Sequence, residues 1–506
     1  MSTFGVFKRR KSNMDLSQNE LENLKISKNN LKKIFSDCGD YEERILSVEG
    51  NAGLSATAVW LDGLVNTIAV SEDFIRPFTM NPLLARCKNE RELLDKILSG
   101  QIYYATLRRR DKMSDLVSDI LMGFVVLIFE ELGEAATFDI RSLQSRSISE
   151  PTVEKTVKGA KGAFVETMRI NTSLVRRHLR SSRLKLRQTV LGRKSRTNVA
   201  VFYVEGVAGE ATVEEVMKRL DSIDIDGLIA AGNLEQYIVD SPLSPFPQLI
   251  HTERPDKFAM ELLEGRVGII ADGLPIGFLL PAALPYFMKV GDDRAGHFLV
   301  SSFLCLIRWI SLVITVLLPA LFVCMNMYHQ EMIPTRLLLS IIESRQQVPF
   351  SAAMELLAML LAFELLQEAG VRLPNPVGDT VSIIGALIVG QAAVEARVVS
   401  PVTVIVVATA GICSFTLPSQ DLGGAVRLVR LGMVILSIAL GLYGLILGFI
   451  LLLWHLCSIE SFGLAYTHPL SEGYFRQSLS VLTRPPLWMS KGRDAALGGK
   501  DRWNQR

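Results

Sequence analysis

The spacing of apolar positions changes character twice along the chain. Residues 1–30 are rich in Ser, Asn, Lys and Glu, with too little apolar material to offset the entropy of folding, and read as a disordered polar tail. From there to about residue 296 short apolar runs alternate between helical and strand spacing. A helix runs through Leu31, Ile34 and Phe35, a strand over 56–64, and helices over 66–78, 90–98 and 112–122; strands follow over 124–129 and 135–140. From 297 the runs become long, at 298–327, 350–369, 380–397, 402–418 and 426–458. A soluble α/β region therefore precedes an α-helical, polytopic membrane region.

The soluble part repeats itself. Leu121-Met-Gly123-Phe-Val-Val-Leu-Ile128 resembles Leu263-Glu-Gly265-Arg-Val-Gly-Ile-Ile270, and Trp60-Leu-Asp-Gly63 resembles Tyr203-Val-Glu-Gly206. Each copy reads as strand, helix, loop, a helix ending in Leu-x-Gly, then two strands, with the glycine capping a helix that feeds a buried strand. The organisation predicted is a tail (1–30), a first α/β subdomain (31–150), a basic helical linker (151–197) and a second, related α/β subdomain (198–296). A membrane domain of four to five apolar segments (297–458) and a basic cytoplasmic C-terminal tail (459–506) complete it.

The stretch 380–397 places polar groups inside an apolar run. At 100° per residue Gln391 and Glu395 fall one turn apart, near Ser382 and Gly385, so one face is small and polar while Ile384, Leu387, Ile388 and Val394 form the other. Ser382, Gly385, Ala386, Val389, Gly390, Gln391 and Glu395 are the candidates for lining a pathway, since small residues and a lone carboxylate facing a bundle interior suit ion or substrate passage. Close helix packing through Gly and Ala, with Glu395 answered by Arg397, fits the same spacing.

Two further carboxylates, Glu355 and Glu364, fall in 350–369, which reads as a re-entrant, interfacial or bundle-interior helix. Arg308 must pair or snorkel. The run 426–458 would be about 50 Å long if continuous, against a hydrocarbon core of about 30 Å, so it overshoots or bends. Positive charge after 458 favours a cytoplasmic C-terminus, and with both ends inside the number of spans is even. Arg427 and Arg430 then open the last helix where the outer side is expected.

Composition narrows the chemistry. The chain is 49% hydrophobic with a formal net charge of +2, which gives no overall pull toward nucleic acid. Basic residues cluster at 159–197, on an apparently helical segment without interleaved aromatics, suiting acid pairing or a membrane surface rather than base stacking. Six scattered cysteines read as buried free thiols, not a disulfide frame or zinc site. No nucleotide-binding, metalloprotease or nucleophile-elbow motif is present. No catalytic, cofactor-binding or metal-binding set is assigned, and the chain reads as a non-enzyme.

Several blocks taken together resemble the A subunit of the GerA-type bacterial spore germinant receptors: Asn171-Thr172 with Leu174-Val-Arg-Arg177, Asp224-Ile-Asp-Gly227, Pro245-Phe-Pro-Gln248 through Thr252-Glu253-Arg254-Pro255-Asp256, Gly390-Gln-Ala-Ala-Val-Glu395, Ser414-Phe-Thr-Leu-Pro418, and His455-Leu-Cys-Ser458 with Ser461-Phe-Gly463. A related branch, the SpoVA-associated F protein, shares the Thr-Glu-Arg-Pro-Asp block. The resemblance implies a multi-pass protein of the spore inner membrane, with its N- and C-terminal regions in the spore core. It implies a transporter-like B subunit and a lipoprotein C subunit as partners, a homo-oligomer in contact with membrane lipid, and no nucleic acid. The expected function is a germinant-gated cation channel that triggers germination. The alternatives are a secondary transporter or a non-conducting scaffold of the receptor complex.

Overall fold

A computed structural model describes residues 18–49, 51–101, 106–142, 151, 154, 158–372, 390–470, 481–489 and 492–504. The disordered tail expected over 1–30 lies outside them up to residue 17, and its later part is folded, with helices at Gln18–Asn23 and Lys28–Ile34 and Ile26 buried between them, because Ile26 and Leu31 reach the core of the first sheet. The chain forms two compact units: an α/β unit of 1–239, 249–281 and 487–506, and a helical unit of 240–248 and 282–486.

The α/β unit holds two five-stranded antiparallel sheets of the same order. The first joins β1 (Tyr41–Val48), β2 (Asn51–Leu61), β3 (Leu107–Arg110), β4 (Val125–Phe129) and β5 (Glu134–Phe138) as β1-β2-β4-β5-β3. The second joins β6 (Leu184–Leu191), β7 (Thr197–Val204), β8 (Ile250–Thr252), β9 (Val267–Ala271) and β10 (Gly277–Leu280) as β6-β7-β9-β10-β8. In each sheet the three central strands are the ones that apolar spacing predicts. The strands it passes over are edges, where Glu42, Glu43 and Arg44 on β1 and three consecutive arginines on β3 break the alternation while blunting the edge against pairing.

Strand β4 shows why its apolar run is unbroken. Val125, Leu127 and Phe129 enter one core with Phe74, Phe78 and Leu93, and Val126 and Ile128 enter another with Leu31, Leu116 and Ile120. Both faces are covered, so every position is apolar. Gly123 and Gly265, equivalent in the two copies, take φ of 89° and 108°. Gly265 caps α3 (Pro255–Glu264) in the left-handed conformation that side chains resist.

The basic segment is not a helical linker. Residues 168–178 form α2 (Met168–His178), but Leu184–Leu191 is edge strand β6, with Leu184 and Leu186 turned into the core. Its charge is answered by acids. Arg187 meets Asp37 at 3.0 Å, Lys194 meets Asp226 at 2.9 Å, and Arg193 pairs with Asp224. Arg176 is 1% exposed and donates from Nε and Nη2 to Asp40 of the first subdomain, each at 2.7 Å, and from Nη1 to the Leu184 carbonyl. Burial disfavours its charge, but the Asp40 carboxylate more than offsets this and holds the guanidinium above its ordinary pKa.

The C-terminal residues are also packed, not loose. Arg493 donates to the carbonyls of Leu263, Asp501 and Trp503, Lys500 reaches Glu210 at 2.7 Å, and Leu497 is buried.

In the helical unit, α4 (Phe298–Met327) and α8 (Gln420–Ser458) are each long and apolar enough to cross a membrane. Between them lie α5 (Thr335–Arg345), α6 (Ala352–Arg372) and α7 (Pro401–Phe415). Arg308 on α4 is paired, with Nη1 and Nη2 at 2.6 and 2.8 Å from Asp293. All six cysteines are free; four are buried, Cys413 is half-buried and Cys457 is exposed at the end of α8, a departure from the expectation of uniformly buried thiols.

Helix α8 is two antiparallel arms. At Gly441 the backbone leaves helical geometry, with φ 61° and ψ −138°. A Cβ on Gly444 would stand 2.1 Å from the Leu436 carbonyl oxygen, and one on Gly448 would stand 2.7 Å from Met433 Sδ. Residues eight and fifteen apart in a continuous helix are separated by about 12 and 22 Å, so the chain has folded back. Tyr328, just past α4, packs on Gly441 and donates its hydroxyl to the Ile438 carbonyl at 2.7 Å. The C-terminal end of α4 and the apex of α8 thus lie together.

Helices α6 and α7 run parallel. Glu355 meets Thr403, the Phe363 ring lies on Gly411, and Gln367 meets Ser414, a constant offset of 47 to 48 residues. Helix α6 therefore follows α7 along its length and does not lie across its end.

Candidate functional site

Two layers of charged and polar side chains lie along α6, one at Glu355 and one at Glu364. Nine residues separate Glu355 from Glu364, about 13 Å of helix rise.

Glu355 is fully buried. Its Oε2 accepts from the Ser400 backbone N–H at 2.8 Å and from Thr403 Oγ1 at 3.1 Å, and its Oε1 accepts from Arg345 Nε at 3.2 Å. Ser400 and Thr403 hydroxyls are 2.9 Å apart. Ser400-Pro401 is a helix start, with proline at the first helical position, where its missing N–H costs nothing. The carboxylate therefore sits at the positive end of α7, so a buried charge is met by an N–H, a hydroxyl, a guanidinium and a helix dipole together. Arg345 comes from α5, so the carboxylate joins three elements.

The second layer is more open. Glu364 is shared by Arg430, which it contacts through Oε1, and by Arg427 at 3.5 Å through Oε2. Arg427 also donates to Gln367 Oε1 at 3.1 Å, and Gln367 Nε2 lies 3.5 Å from Ser414.

Between the layers the chain returns toward α7 through 390–399. Residues 390–395 are helical; the Val398 N–H closes the last turn onto the Ala393 carbonyl at 2.9 Å, and Arg397 takes φ 54°. Ser400 follows, held by Glu355. Of the residues assigned to a pathway from sequence, Ser382, Gly385, Ala386 and Val389 lie outside the described residues. Gly390 is buried, and a Cβ there would meet Val404 at 3.3 Å, so here the small residue serves close packing on α7. Gln391 and Glu395 are exposed in the single chain, and the Arg397 side chain points to solvent as well. Both carboxylates singled out in 350–369 do have partners. The partners Arg345, Ser400 and Thr403 escaped the sequence reading, although the Ser-Pro helix start was a usable signal.

The chain has likenesses to known proteins. Residues 29–496 match the family described as Bacillus/Clostridium GerA spore germination protein. The chain is 36% identical over 466 residues to YfkQ, an uncharacterised membrane protein of Bacillus subtilis strain 168, covering 92% of this chain and 90% of that one. It is 34% identical over 474 residues to spore germination protein KA of the same organism, covering 94% and 86%. A crystal structure of the N-terminal domain of the A subunit of the Bacillus megaterium spore germinant receptor GerK3 aligns with 52% of this chain and 97% of its own, at 30% identity and a TM-score of 0.41. With a match that takes in the repeated α/β sheets and the charged helical layers alike, the chain belongs to the GerA family of spore germination proteins.

Proposed function

We propose that the chain is the non-enzymatic membrane subunit of a nutrient germinant receptor, acting as an oligomeric, germinant-gated cation channel alongside a transporter-like B subunit and a lipoprotein C subunit in the spore inner membrane. The observation that carries this reading is Glu355: a fully buried carboxylate inside an apolar helical unit, holding the end of the segment that carries Gln391 and Glu395. Ionisable groups in such surroundings are expensive and mark ion pathways or gates.

Among the described residues, connectivity supports five crossings. Helix α4 ends beside the apex of α8. Helix α7 leads through residues 416–419 into the first arm of α8, so it ends opposite that apex, and α6 runs parallel to it. Counting α8 twice, the crossings among the described residues are α4, α6, α7 and the two arms. Arg427 and Arg430 fall at the same end as residue 458, where positive charge belongs.

Single-cysteine accessibility over 380–397 in a cysteine-free background tests the reading, with and without germinant, followed by ion flux after reconstitution. Labelling that recurs every three or four residues and changes with germinant is expected. Uniform protection in both states, with no flux, would leave a scaffold.

A further inference from the structure

Two guanidiniums in the second layer share one carboxylate. Arg427 and Arg430 stand one turn apart on the inward side of α8, Glu364 contacts both, and Gln367 takes the remaining side of Arg427. One positive charge is left over. The Arg430 side chain is 2% exposed, yet its Nη1 has no hydrogen-bond partner. A buried guanidinium N–H without an acceptor carries its full desolvation penalty, so the site is short of an anion. It is also reachable, because the side chains of Arg427 and Glu364 are 36% and 32% exposed. Arg427 and Arg430 lie about 10 and 15 Å along the arm from Gln420.

We propose that Arg427 and Arg430 form a binding site for a phosphate-type anion, with Gln367 and Glu364 at its rim. Guanidinium forks suit the oxygens of such a group, and two of them one turn apart can bridge it. The anion's source is either the headgroup of an anionic phospholipid or a soluble phosphate. Neither source depends on ion conduction.

Native mass spectrometry of the full chain in neutral detergent tests this, with phosphatidylglycerol, phosphatidylcholine and inorganic phosphate as probes. Preferential retention of phosphatidylglycerol, or saturable uptake of phosphate, is expected. Arg427→Gln should weaken it by about tenfold, the loss of one charge-assisted contact. Glu364→Gln should strengthen it, because the competing carboxylate charge is gone; a merely structural ion pair predicts lower stability and no gain in binding. Phosphate that displaces phosphatidylglycerol identifies a soluble source, and phosphatidylglycerol that persists in millimolar phosphate identifies the lipid; either supports the site. Equal retention of the two lipids with no phosphate uptake would overturn it. So would full retention by Arg427→Gln, a half-exposed position where failure to fold is not at issue.

Discussion

Gly444 lies against the carbonyl oxygen of Leu436, eight residues before it, with no room for a Cβ between them. This approach turns a 39-residue helical run into a hairpin. Gly444→Val should force the arms apart, lowering stability by about 1–3 kcal/mol through overpacking. Thermal unfolding in detergent reads the loss. As a direct check, Met433→Cys with Gly448→Cys in a cysteine-free background should form an intrachain disulfide, which a straight helix holding the two about 22 Å apart would forbid.

Glu355 ties α5 to the start of α7. Glu355→Ala should cost about 3–5 kcal/mol, the usual result of stripping one partner from a buried charge arrangement. Glu355→Gln keeps an acceptor for the Ser400 N–H and should cost less. Spores that carry Glu355→Gln at normal protein level should respond to germinant at an altered rate, whereas a response equal to wild type would make Glu355 a structural tie alone.

Arg176 and Asp40 join the two α/β subdomains through a bidentate pair, both side chains less than 5% exposed. Removing either partner alone strands the other, so Asp40→Ala or Arg176→Ala should destabilise by about 3–5 kcal/mol. The double change Asp40→Leu with Arg176→Met should recover most of that, because both charges leave together. Thermal or denaturant unfolding of the wild type and the three variants measures it.

Burial pushes the Tyr203 hydroxyl up to about 12, with Arg187 partly opposing it, against an ordinary phenol near 10. The folded state favours the neutral form. Its contribution is therefore fully present below pH about 10 and lost as pH rises from about 10 to about 12. Burial also raises Tyr41, so alkaline loss should persist in part in Tyr203→Phe while becoming shallower. Melting temperature against pH for wild type and Tyr203→Phe reads the difference.

The sequence by itself determined the two-part organisation, the repeated α/β plan and the central strands, because burial on both faces leaves an unbroken apolar run such as β4, and a left-handed cap leaves a glycine at 123 and 265. It also marked Glu355 and Glu364, since a carboxylate in an apolar run is conspicuous. The edge strands were hidden, because an edge must carry charge to stay soluble and charge erases alternation. Only the tertiary structure decided where the basic residues of 159–197 go, since an arginine's code is the same whether it meets water, lipid or a buried Asp40. It alone decided that α8 turns at Gly441. Glycines three and four apart suit a straight packed helix and a hairpin equally, and the choice falls to contacts such as Leu436 with Gly444 that no local pattern records.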